Sequence, residues 1–123
     1  MREGKKGMGV HVLLNLYGCS QNISYIKDIK NVVDRVINKS SLSFLSEKYH
    51  QFDPEGVTGI VLLAESHLSI HSWPEHGSVA IDIFCCFLNE EGEKKAIEKA
   101  NTAAENLIEL FNPEEYKKKE VIR

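Results

Sequence analysis

The chain holds only three cysteines and three prolines in 123 residues. Cys19, Cys85 and Cys86 cannot all pair, and the adjacent two are badly placed to pair with each other, which excludes a secreted disulfide framework. A reducing cytoplasm is expected instead. Long hydrophobic runs are also missing. No stretch approaches the roughly 20 apolar residues of a membrane span. The basic residues 1–6 precede an apolar run over 10–17 that is broken by His11 and Asn15, so the two do not make a signal peptide. Charge of one sign is scarce as well: 15 Lys and Arg stand against 18 Asp and Glu, a net charge of −3. The basic residues are dispersed, and Lys117, Lys118 and Lys119 form the one cluster, which reads as a solvated tail or strand edge. No basic stripe is available to neutralise phosphates, so nucleic acid is excluded as a partner. Repeats and low-complexity linkers are missing too.

What is present suffices for one hydrophobic core. With 42% hydrophobic residues in 123, a single domain over 1–123 is expected. Val10, Val12, Leu14 and Leu16 alternate with His11, Leu13, Asn15 and Tyr17, the period of a strand over 10–17. Ile26, Ile29, Val32, Val33, Val36 and Ile37 recur at helical spacing, which predicts a helix over 22–38 with Asn22 or Ser24 as N-cap. A second strand is expected over 41–49, then a turn at Phe52-Asp53-Pro54-Glu55-Gly56. Residues 57–72 read as a long third strand with a bend or bulge at Ala64-Glu65-Ser66. A turn over 73–77 returns the chain into a fourth strand over 79–88, so these two strands form a hairpin. Ala96, Ile97, Ala100, Ala104, Leu107, Ile108 and Phe111 share one face of a helix over 93–111, ended by Asn112-Pro113, and a last short strand follows. This order gives an α+β fold, a two-layer sandwich with an antiparallel sheet and helices on one face. The uncovered face of the sheet needs a partner. The same sheet of a second chain is the natural one, so a homodimer with sheets packed face to face is expected.

The densest polar cluster is Glu65-Ser66-His67-Leu68-Ser69-Ile70-His71-Ser72-Trp73-Pro74-Glu75-His76. On residue types alone it is either a solvated hairpin or a site. Zinc is a poor fit. His67 and His71 would share a strand face but lie roughly 13 Å apart, and no HExxH or paired CxxC pattern occurs. A serine hydrolase would use Ser66 or Ser69, yet the GxSxG elbow is missing and no Asp is evidently placed to orient a base. A cysteine nucleophile at Cys85 or Cys86 with His71 stays open, although strand cysteines are most often inert hydrophobes.

The run Glu65-Ser66-His67-Leu68-Ser69-Ile70-His71-Ser72-Trp73-Pro74-Glu75, followed by Ile81-Asp82-Ile83-Phe84-Cys85-Cys86, resembles the pyruvoyl-dependent S-adenosylmethionine decarboxylases of bacteria and archaea. The likeness also takes in Phe52 and Gly56-Val57-Thr58-Gly59 and fades over the second helix. It implies a proenzyme that cuts itself between Glu65 and Ser66 into a β chain, 1–65, and an α chain, 66–123. Ser66 would become a pyruvoyl group that forms a Schiff base with the substrate amine, with no added cofactor and no metal. The implied product is decarboxylated S-adenosylmethionine, the aminopropyl donor for spermidine.

The same resemblance implies roles for single residues. His71 takes the α-proton during processing, a task suited to imidazole. Cys86 returns a proton to the carbon left after CO₂ departs, and strand alternation turns Cys85 to the other face. Phe52 matches an aromatic that stacks on adenine, and Glu75 a carboxylate of the nucleoside pocket. Thr58 departs from the family pattern, standing where better-known members carry a serine that supports processing. It keeps the hydroxyl but is stiffer at χ1, which implies slower self-cleavage. Cys85 stands where threonine is common. Arginine or ornithine as substrate, or a non-catalytic homologue that binds a partner, are the alternative readings.

Overall fold

Alternating burial along each central strand shows how the chain divides its two faces. In this computed structural model, which describes residues 7–123, the chain forms β1 (Gly9–Tyr17), α1 (Ile26–Lys39), β2 (Phe44–Gln51), β3 (Val57–Leu63), β4 (Ser66–Trp73), a 3₁₀ turn (Pro74–His76), β5 (Ser78–Cys86), α2 (Glu90–Phe111) and β6 (Glu115–Ile122). The strands make one six-stranded sheet in the order β2-β3-β4-β5-β1-β6, every neighbouring pair antiparallel. Val10, Val12, Leu14 and Leu16 of β1 point to the same buried layer as Val79, Ile81, Ile83 and Cys85 of β5. Both helices cover that face. Ile29, Val32, Val33, Val36 and Ile37 form the buried stripe of α1, as their spacing predicts. On α2 the buried stripe is Ala96, Ala100, Ala103, Ala104, Leu107 and Phe111, with Ile97 and Ile108 half-buried at its flanks. The run of alanines lets α2 lie close against β1 and β5.

The α+β sandwich expected from the sequence is therefore the fold. Among the described residues, no helix is long and apolar enough to cross a membrane. The basic residues 1–6 lie outside the described residues.

Three local expectations need correction. The first helix begins at Ile26, not Asn22, and neither Asn22 nor Ser24 is its N-cap. Tyr25 holds that position, with its N–H donating to Asp28 Oδ2 at 3.3 Å. Ser24 instead turns to Glu55, and the Ile26 N–H is taken by the side-chain oxygen of Gln51 at 2.8 Å. The run over 57–72 is not one bent strand. It is β3 and β4, joined by a two-residue turn at Ala64-Glu65 and paired from Thr58↔His71 to Leu63↔Ser66. Sixteen apolar-rich residues exceed the usual five or six of a strand, and folding them back on themselves buries Val57, Val61 and Leu63 beside Leu68 and Ile70. Four strands, not three, thus separate the helices.

The other face of the sheet carries no helix. Ile60, Leu62 and Trp73 stand there 53%, 49% and 44% exposed, with His11, Ser69, His71, Asp82 and Phe84 between and around them.

Candidate active site

Antiparallel strands joined by two residues ordinarily take positive φ within the turn itself. Here neither Ala64 nor Glu65 does so, and Ser66 carries φ +152° instead. That region suits glycine alone and costs a side-chain-bearing residue about 1–3 kcal/mol. The strain therefore falls on the residue just after the Glu65-Ser66 peptide bond. The carbonyl oxygen of that bond is held from β5: Glu65 O accepts a hydrogen bond from the Cys86 N–H at 3.0 Å. A backbone donor aimed at a carbonyl beside a hydroxyl-bearing residue can stabilise negative charge developing on that oxygen.

The Glu65 side chain is held separately. Its Oε2 lies 2.8 Å from Lys99 Nζ on α2, Ser43 N–H donates to Oε1 at 3.0 Å, and Ser43 Oγ donates to Oε2 at 3.2 Å. Ala64 N–H in turn donates to the Ser43 carbonyl at 2.9 Å. Burial acts against the charged carboxylate, but the hydrogen bonds from Lys99 and Ser43 outweigh it and hold Glu65 below its ordinary pKa. Cys85 and Cys86 face opposite sides, as alternation predicts. Cys85 is buried under the helices, which pushes its thiol up to about 11, whereas Cys86 is exposed at the strand end. An inert Cys85 and an accessible Cys86 follow.

A second group of residues gathers at the other end of β4. Phe52, Glu55, Gly56, Thr58, His71, Ser72, Trp73 and Glu75 line a cleft of about 310 Å³. Gln51 holds the turn beside it, its amide donating to the carbonyls of Ser24, Phe52 and Gly56, while Gly56 supplies the φ of +108° that closes the turn. Phe52 stays half-exposed at the mouth, edge-on to His50 with ring centroids 4.7 Å apart. Ser72 is buried and satisfied, accepting from Val57 N–H and donating to Ile23 O. Thr58 Oγ1 lies 3.0 Å from His71 Nδ1. In the tautomer whose Nδ1–H donates to Thr58, Nε2 is the acceptor nitrogen.

The structure thus joins Thr58 to His71 and sets Phe52 and Glu75 on the same cleft, while Glu65, Ser66 and Cys86 meet elsewhere. Ser66 and His71 are five residues apart on β4, roughly 16 Å along a strand. His67 lies nearer the hairpin end, its ring 5.8 Å from that of Phe84. Among the described residues, no group of three or more His, Cys, Asp or Glu is arranged to hold a metal. Sequence reasoning missed Ser43, Gln51 and Lys99, and it quoted Trp73 within the resembling run without giving it a role. Lys99 beside the buried Ala96 and Ala100 marks a half-buried lysine, but nothing in the spacing names its partner 34 positions away.

The family model described as S-adenosylmethionine decarboxylase matches residues 10–123. The chain is 42% identical over 110 residues to the S-adenosylmethionine decarboxylase proenzyme of a Sulfurihydrogenibium species, covering 89% of this chain and 77% of that one. To the proenzyme of Archaeoglobus fulgidus it is 40% identical over 111 residues, covering 89% and 92%. The crystal structure of the adenosylmethionine decarboxylase from Aquifex aeolicus superposes with a TM-score of 0.83 at 36% identity, over 97% of this chain and 92% of that one.

Two outcomes follow from the hairpin. Both Ser66→Gly and Ser66→Ala remove the hydroxyl, but only glycine accepts the backbone at residue 66, so the glycine variant should be more stable by about 1 kcal/mol in urea unfolding. Equal midpoints would mean that Ser66 is unstrained. Glu65 has a folded pKa below its unfolded one, so its contribution is complete above the ordinary carboxylate range and is lost as pH falls through the lowered value. In an uncut Ser66→Ala background, the destabilisation caused by Glu65→Gln should therefore be largest near pH ~7 and shrink in acid below the ordinary glutamate pKa of about 4.3. A difference constant across that range would contradict the charged clamp.

Proposed function

Because this chain belongs to the S-adenosylmethionine decarboxylase family, we propose that it cuts its own backbone between Glu65 and Ser66 and then decarboxylates S-adenosylmethionine. The observation that carries this reading is the Glu65 carbonyl, held by the Cys86 N–H and followed at once by a strained serine. Attack of Ser66 Oγ on that carbonyl carbon forms a C–O bond and breaks the C–N bond, the hydroxyl proton ending on the freed amine. The Cys86 N–H offsets the charge that builds on oxygen meanwhile. Loss of the Ser66 Cα proton then expels Glu65 as a carboxylate, and water replaces the nitrogen, which leaves as ammonia. The products are residues 1–65 and a chain 66–123 headed by a pyruvoyl group. That group supplies an electrophilic carbonyl able to draw in the electron pair left when a carboxylate departs as CO₂.

The residues of this chain do the rest. His71, oriented by Thr58, is the base for the Cα proton, and the Cys86 thiol returns a proton to the substrate carbon. Phe52 and Trp73 offer aromatic surface to adenine, and Glu75 offers a carboxylate that accepts hydrogen bonds from ribose hydroxyls. The product supplies aminopropyl groups for spermidine.

Within one protomer His71 is too far from Ser66 to act on it, by the roughly 16 Å separation along β4. A homodimer resolves this. If two chains pack their open faces together about a two-fold axis in the plane of the sheet and across the strands, the hairpin end of one meets the cleft end of the other. Each site would then join Ser66 and Cys86 of one chain to His71 of the partner subunit. The exposed Ile60, Leu62 and Trp73 support burial of this face. A cytoplasmic home belongs to the same reading, supported by three free thiols.

Denaturing mass spectrometry should find two fragments, 1–65 and 66–123, the latter shifted by the pyruvoyl end, and the processed protein should release CO₂ from S-adenosylmethionine. A chain that stays whole after prolonged incubation with hydroxylamine would overturn self-cleavage and favour a partner-binding homologue. A cut enzyme that releases CO₂ from arginine or ornithine alone would overturn the substrate.

A further inference from the structure

We infer that Lys99 is a positioning residue for the cut at Glu65-Ser66, acting through the Glu65 side chain; the inference rests on the self-cleavage reading. Lys99 touches neither the scissile carbonyl nor Ser66. It reaches from α2, which packs against β1, β5 and α1, to the carboxylate of the residue just before the bond. Glu65 is thereby fixed at both ends: its carbonyl oxygen by the Cys86 N–H of β5, its carboxylate by Lys99 of α2 and by Ser43 at the entry to β2.

That double hold has a mechanical consequence. A strained φ relaxes if the preceding peptide can swing, and Ala64-Glu65 is the turn between the paired residues Leu63 and Ser66. Rotation there would carry the Glu65 carboxylate away from Lys99 and the carbonyl away from the Cys86 N–H together. Lys99 thus opposes a motion that would relieve Ser66 and misalign the carbonyl with both its backbone donor and the attacking hydroxyl. Near-attack alignment of this kind sets the rate of an intramolecular acyl shift. The side-chain oxygen of Glu65 that Lys99 holds is the one Ser43 Oγ also reaches, so loss of the ammonium leaves the carboxylate on Ser43 alone.

The rate of splitting after synthesis or refolding, followed by mass spectrometry, tests this in the full chain. Lys99→Met should slow the cut about tenfold, the effect of removing one charge-assisted hydrogen bond from an aligned state. Lys99→Arg, which can still bridge to the carboxylate, should restore most of the rate, and Lys95→Met, an exposed lysine one turn earlier, should leave it unchanged. The double variant Glu65→Gln with Lys99→Met should be no slower than the slower single variant, since both remove one contact. The inference is overturned if Lys99→Met cuts at the wild-type rate, if arginine does not rescue, or if the two changes multiply. It is equally overturned if the slowing vanishes once the assay is run well below the variant's melting temperature, the mark of a purely structural lysine. A wild-type chain that never cuts would instead sink the self-cleavage reading itself, and this inference with it.

Discussion

A two-residue connection between β3 and β4 is the constraint from which the chemistry of this chain descends. A turn that short ordinarily takes positive φ within it, and here the positive φ falls on Ser66 instead. A glycine at that position would release the strain, and a longer loop would spread it. A serine keeps it beside a carbonyl already held by the Cys86 N–H and behind a glutamate clamped by Lys99 and Ser43. The hydrogen bonds and the strain are of similar size, about 1–3 kcal/mol each, so the surrounding contacts are able to sustain the conformation.

The sheet then decides what this hairpin can meet. Helices α1 and α2 take one face entirely and bury Cys85 with it, which leaves Cys86, His67 and His71 to the other. The Glu65-Ser66 hairpin and the cleft occupy opposite ends of β4. Ser69, whose hydroxyl donates to Asp82 at 3.1 Å, sits between them near the middle of the strand. A two-fold axis near that midpoint would make each end complete the other.

Much of the fold was legible in the sequence because its signals are periodic. The alternation over 10–17 gave β1 to within a residue, and the spacing of Ile29, Val32, Val33, Val36 and Ile37 gave the buried face of α1. Two signals misled. Asn22 and Ser24 are good capping residues, but Ser24 is used by Glu55 and the helix starts after them. The apolar run over 57–72 hid a hairpin because its turn holds neither Gly nor Pro, the usual markers, and its strain is on Ser66, which has no conformational signature in sequence. Of the candidate site, the residue identities were readable through the ESH and WPE pattern and its family resemblance. Their division into two ends was not, because it depends on β3 folding back on β4. The partners of Glu65 were out of reach for the same reason: Ser43 and Lys99 come from segments 22 and 34 positions away.

If each site is shared between two chains, two inactive variants should complement each other in a mixed dimer. On the proposed reading the His71→Ala chain lacks the base and the Ser66→Ala chain lacks the nucleophile, so neither should cut alone. Co-expressed with different tags and purified through both, the mixed dimer pairs an intact Ser66 on one chain with an intact His71 on the other. The His71→Ala chain, and only that chain, should then split at Glu65-Ser66. A mixed dimer in which neither chain splits would contradict a site built across the interface.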